Sequence, residues 1–169
     1  MDTAQTITQF TKMLENLDHC LEKAIAFAQQ RKFEPDLFVS TRLAPDQFDF
    51  THQIQSACDA AKYAAAYLSG QTAPSHPDTE KTISELRARI KTCIQYVRSV
   101  PASAYEGAAD RRVAPAWLQG KWFRGEDYFR QIAVPNFYFH VTTAYALLRH
   151  NGVELGKMDY IGGMPVQEG

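Results

Sequence analysis

The chain has 169 residues, 45% of them apolar, and a formal net charge of −1 from 18 basic and 19 acidic residues. That length suits one domain, residues 1–169, with enough apolar side chains to fill a core. The even charge balance offers no electrostatic footprint for a phosphate backbone, and no run approaches the roughly 20 apolar residues of a membrane span, so neither nucleic acid nor a membrane is an expected partner.

A first long helix is predicted from apolar residues at three-and-four spacing: Ile7, Phe10, Leu14, Leu17, Leu21, Ala24 and Ala28. Asp2 or Thr3 is placed to cap it. The same N-terminal segment lacks the basic and then apolar regions of a secretory signal. Pro35 and Pro45 break the pattern into a connection. A second helix is expected from near Pro45 or Asp46 to Ser69, stopped by Gly70. Its stripe is Phe50, Ile54, Ala57, Cys58, Ala61, Ala65 and Leu68, and the alanines imply close approach of a neighbouring helix. Arg42 and Asp46 flank its start and read as a structural pair, with Asp46 favourable at a helix N-terminus.

Asp78 or Thr79 is expected to open a third helix carrying Ile83, Leu86, Ile90, Cys93, Ile94 and Val97, which stops before Pro101. Residues 102–125 have Gly and Pro punctuation and no helical period; short apolar runs around "QGK" predict a small hairpin. Glu126 to Ile132 predicts one or two helical turns. Pro135 then falls in the first turn of a last long helix, where its missing N–H costs nothing. That helix ends at Asn151-Gly152 and is apolar on nearly every side, which predicts a buried, central element. The tail from Val153 reads as irregular. The pattern is all-α: an antiparallel four-helix bundle with an elaborated connection before its last helix.

The three cysteines, Cys20, Cys58 and Cys93, form no CxxC pair and fall in helical patterns. They read as reduced, buried thiols in a cytoplasmic protein. Lys62, Glu80, Arg87 and Arg89 read mostly as surface ion pairs. No Gly-rich phosphate loop, G-x-S-x-G or HExxH is present.

The segments "RLAPDQFDFTHQIQSACDAAKYAAAYLSG", "TISELRARI" and "PNFYFHVTTAYALLRHNGVELGKMDYIGG" resemble a bacterial domain-of-unknown-function family within the DinB/YfiT-like four-helix bundles. The resemblance covers nearly the whole chain. It implies a bundle fold, a homodimer and a metalloenzyme ancestry, with one histidine near the start of the second helix and an HxxxH on the fourth. Members of the wider group include thiol-dependent transferases, isomerases and hydrolases.

Carried over position by position, the second-helix histidine corresponds to His52, and the HxxxH pair falls on Asn136 and His140. This chain therefore reads NxxxH. The resemblance implies His52, Asn136 and His140 as ligands of a divalent metal such as zinc or nickel. A side-chain amide is a weak, hard donor, however, and zinc ordinarily takes three strong protein ligands.

Two readings follow. In one, the metal site is degenerate and the bundle binds a small molecule or has a structural role. In the other, His52 and His140 serve a metal-dependent enzyme. His140 reads either as a pocket residue or as a buried histidine bonded in one network with Asn136. His52 lies on a polar side with Gln55, Ser56, Asp59 and Tyr63, facing either solvent or a polar cleft against the fourth helix. Trp117, Trp122, Phe123, Tyr128 and Phe129 pack the connection, and are placed to roof a pocket at one end of the bundle, which Tyr160 could also reach.

Overall fold

A computed structural model of the chain describes residues 2–167. Asp2 caps α1, Thr3–Arg31, by accepting from the Ala4 N–H at 2.9 Å. All seven residues of its predicted stripe are buried. Lys32, in the left-handed region at φ 61°, ends the helix. A 3₁₀ turn at Pro35–Phe38 follows.

The second helix, α2, spans Phe50–Ser69 and ends at Gly70 with φ 75°. It begins later than the sequence suggested. Asp49 is the cap, accepting from the His52 N–H at 3.0 Å, and a separate turn, closed by the Gln47 N–H on the Ala44 carbonyl at 3.1 Å, precedes it. Arg42 accordingly pairs with Asp49 at 3.4 Å and not with Asp46. The third helix, α3, spans Ile83–Ser99 and also starts later. Thr82 and Glu85 form a reciprocal capping box there: Thr82 Oγ1 accepts from the Glu85 N–H at 3.2 Å, and Glu85 Oε2 from the Thr82 N–H at 3.0 Å.

The insertion holds a strand pair, but not the tight hairpin expected around "QGK": the apolar run before it, Ala116–Leu118, forms a 3₁₀ turn. Strands β1, Arg112–Val113, and β2, Phe123–Arg124, pair antiparallel. Arg111 pins the insertion to the end of α2 by donating to the Leu68 carbonyl, and to the Ala104 carbonyl at 3.2 Å. A cation suits the negative end of a helix.

The last rod is continuous from Gly125. Helix α4, Gly125–Tyr128, runs through a π turn at Phe129–Ala133 into α5, Val134–His150. Pro135 lies in the first turn of α5, yet the helical path does not begin there. A proline within a helix has no N–H to give and its ring crowds the carbonyl four residues back. The π turn widens the backbone just before it, with the Val134 N–H reaching back to the Phe129 carbonyl.

The core is one contiguous cluster along α1, α2, α3 and α5. Phe10 stacks on Phe137 with ring centroids 4.1 Å apart. The centre of the bundle is α2, which packs against α1, α3 and α5. This corrects the expectation for the last helix: α5 buries Phe137, His140, Val141, Ala144, Leu147 and Leu148, while Phe139 is 56% exposed. The tail is also more ordered than its sequence suggests. Helix α6, Lys157–Ile161, docks on α1 through Asn16 to the Tyr160 carbonyl (2.9 Å) and Lys23 to Asp159 (3.0 Å). No helix among the described residues is long and apolar enough to cross a membrane.

Candidate functional site

Two helical faces meet to form a cleft. On α2, Ser56, Ala60, Tyr63 and Tyr67 are spaced by four, three and four, which aligns them on one stripe. On the last rod, Tyr128, Ile132, Asn136 and His140 are each four apart. In a plain α-helix such a series drifts by roughly 40° per step. The π turn falls between the first two and rewinds part of that drift, so the four share a face. These residues, with Asp59 from α2 and Ala116 and Trp117 from the insertion, line a cleft of about 460 Å³.

His140 is 8% exposed. Its Nδ1 lies 2.8 Å from Gln53 Oε1. Gln53 is itself buried, and its Nε2 donates to the Phe48 carbonyl at 3.1 Å. That second bond fixes the amide, because a carbonyl can only accept. Gln53 Oε1 therefore accepts from His140 Nδ1–H, and Nε2 of the ring is the unprotonated nitrogen. No hydrogen bond from the described residues reaches it. Burial lowers the His140 pKa below its ordinary value, so the ring is neutral at pH 7. The result is a fixed lone pair at the wall of the cleft. It can accept a hydrogen bond or a proton from a bound molecule.

Asp59 supplies the second acceptor. Its Oδ1 takes Lys62 Nζ at 2.8 Å and Arg89 Nη2 at 2.9 Å. Its Oδ2 takes no hydrogen bond from the described residues. Contrary to the sequence reading, Lys62 and Arg89 are buried, with side chains 1% and 2% exposed. Arg89 also binds Asp78 (2.9 Å), Glu80 (3.1 Å) and the Pro77 carbonyl (3.2 Å), clamping the connection before α3 onto the bundle. Burial pushes the Glu80 carboxyl up, but bonds from Gln55 and Arg89 outweigh it and hold its pKa low.

His52 takes a different place. Its side chain is 54% exposed, its Nδ1 lies 2.8 Å from Asp49 Oδ1, and its ring stacks on Phe48 at 5.2 Å. It does not line the cleft. Burial is the largest single influence on Asp49 and raises its pKa, but the hydrogen bonds and charge of His52, with Arg42, together outweigh it and hold the pKa low. His52 thus braces the start of α2 on the solvent side. Asn136 lines the cleft, but the network partner of His140 is Gln53 and not Asn136.

These placements do not fit a zinc or nickel centre. Among the described residues no three His, Cys, Asp or Glu side chains gather as ligands. The cleft offers one imidazole nitrogen, one amide and one carboxylate oxygen, short of the strong ligand set such a metal takes.

The remaining candidates have structural places. Cys20, Cys58 and Cys93 are buried and unpaired, and Cys93 Sγ donates to the Cys58 carbonyl at 3.1 Å. Of the aromatic residues in the connection, Trp117 and Tyr128 reach the cleft. Trp122 stacks under Arg112 at 5.4 Å, and Tyr160 bonds Thr142 at 2.9 Å. The sequence reading missed Gln53, whose polar side chain at a buried position could have marked it.

A crystal structure of a DinB family member protein from Shewanella denitrificans matches this fold with a TM-score of 0.92 and 45% sequence identity, covering 96% of this chain and 93% of that one. Agreement at that level over nearly the full length defines a DinB-like helical bundle. The chain belongs to the family described as domain of unknown function (DUF1993), which matches residues 3–161. No curated protein matches it.

Proposed function

We propose that the cleft between α2 and the α4–α5 rod is a small-molecule binding site in which His140 Nε2 is the central acceptor. The observation that carries this reading is the locked tautomer: Phe48 holds Gln53, and Gln53 holds His140. Two buried polar side chains are used to aim one lone pair at a concave surface. A histidine needed only for packing could have been replaced by an apolar residue at less desolvation cost. The cleft volume of about 460 Å³ also lies within the ordinary range of ligand pockets. Gln53 acts as a positioning residue in this reading, and no metal is required.

The test is nuclear magnetic resonance with ¹⁵N-labelled histidine and a fragment library of about a thousand small molecules. Expected are an unprotonated Nε2 at pH 7 and fragments that shift His140 together with the Trp117 indole. A library that moves neither would overturn the reading.

A further inference from the structure

We propose that the cleft selects a small protonated amine carrying an apolar body. The inference rests on the binding reading above and names the ligand class for the same site.

Hydrogen-bonding capacity comes first. Asp59 Oδ2 and His140 Nε2 are both acceptors and both lack a partner among the described residues. The lining contains no lysine or arginine. A ligand that satisfies both acceptors must bring hydrogen-bond donors; a hydroxyl brings one, and an ammonium group brings three. Asn136 and the tyrosine hydroxyls can accept as well.

Electrostatics point the same way. Asp59 is the only carboxylate in the lining. The cations behind it, Lys62 and Arg89, both bond its other oxygen, and Arg89 is shared with Asp78 and Glu80. Two cations stand against three carboxylates, leaving this cluster at −1 and the open oxygen available to a positive ligand.

The walls supply the apolar part. Tyr63 and Tyr67 stack with centroids 5.5 Å apart, Tyr128 meets Tyr67 edge-on at 5.7 Å, and Trp117 also lines the cleft. Aromatic faces attract cations through their quadrupoles, and several around one cavity make a cage for them. One ring already does so within the chain: Lys62 Nζ lies 4.5 Å from the centroid of Tyr63.

A matched trio of probes tests the class: 2-phenylethylammonium, 2-phenylethanol and phenylacetate. Each is titrated into the full chain at pH 7.5, reading His140 and Trp117 resonances. The ammonium probe is expected to bind at least about tenfold tighter than the alcohol, a difference within reach of desolvated cation–π attraction. Phenylacetate should be weakest. Tyr63→Leu, at a half-exposed position, should remove most of the preference. Asp59→Asn should do the same, and Tyr63→Leu keeps the test decisive if that variant does not fold. Equal binding of ammonium and alcohol would overturn the amine selection while leaving the binding site standing. Tightest binding of phenylacetate would overturn it too, showing that Lys62 and Arg89 set the field. No shift from any probe or fragment would overturn both readings.

Discussion

His140 Nδ1 lies 2.8 Å from Gln53 Oε1, and the Phe48 carbonyl, 3.1 Å from Gln53 Nε2, decides which way the proton between them points. One backbone carbonyl at the start of α2 thereby sets the protonation pattern of a ring on α5. Gln53→Leu removes the relay and leaves two buried polar atoms unpartnered, so a loss of about 2 kcal/mol is expected in urea denaturation. The His140 ¹⁵N shifts should then report a mixture of tautomers. Gln53→Glu still accepts from the ring but places a negative charge beside it, which should raise the imidazole pKa. Unchanged His140 shifts in both variants would contradict the relay.

The His140 pKa is lowered by burial, so the folded protein holds the ring neutral where the unfolded chain would protonate it. The sign follows from linkage. Below the unfolded value of about 6.5 the unfolded state binds more protons, so stability falls with pH until the folded pKa is passed. The urea midpoint should therefore drop between pH 7.5 and pH 5, and drop less in His140→Phe. His76, also pushed down by burial, contributes equally to both proteins and cancels in the comparison. An equal drop in the two would refute the assignment.

Arg89 and Arg98 provide a contrast in burial. Arg89, 2% exposed, serves Asp59, Asp78 and Glu80. Arg89→Met should cost about 3 kcal/mol because it strands carboxylates at the edge of the core. Arg98 meets Glu15 at 2.6 Å with both side chains about half exposed, and Arg98→Ala should cost under about 1 kcal/mol. Guanidinium denaturation of both variants measures the difference.

Gly125 makes the closest backbone approach of the described glycines. A Cβ there would stand 1.9 Å from the Ala108 carbonyl oxygen. Gly125→Ala should force the insertion off the start of α4 and cost about 2–3 kcal/mol. Gly163, with nothing within 4 Å of a built Cβ, should accept alanine without measurable loss. Thermal melts of the two variants check this.

With metal, the expectation is a negative result with a positive control. His52 is tied to Asp49 away from the cleft, so zinc or nickel added to the untagged protein should bind well below one equivalent after dialysis. Mass spectrometry of metal content decides it. One equivalent retained, and lost in a His52→Ala, His140→Ala double variant, would restore the metal reading.

Much of the fold could be read along the chain. The stripe from Ile7 to Ala28 on α1 and the stops at Gly70 and Gly152 depend on spacing and local backbone preference, and they stand as read. Helix starts were less legible. Asp46 and Asp78 are as good as caps in isolation as Asp49 and Thr82; what selects the latter is where α2 and α3 must begin to meet the core. Helix α6 has only five residues and no visible period, and its order comes from contacts with Asn16 and Lys23.

For the site, sequence alone determined that the chain makes an antiparallel four-helix bundle, and that Asn136 and His140 stand four residues apart on its last helix. Residue type and spacing fix those facts. Only the tertiary structure decided what His140 does, because its partner Gln53 is 87 positions away and a hydrogen bond acts over about 3 Å of space whatever the separation along the chain. The same holds for Asp59, whose two oxygens are distinguished only by which neighbours arrive. Lys62 and Arg89 read as surface charges until the connection before α3 is folded over them. Pairing across the bundle, rather than pattern along it, makes the cleft.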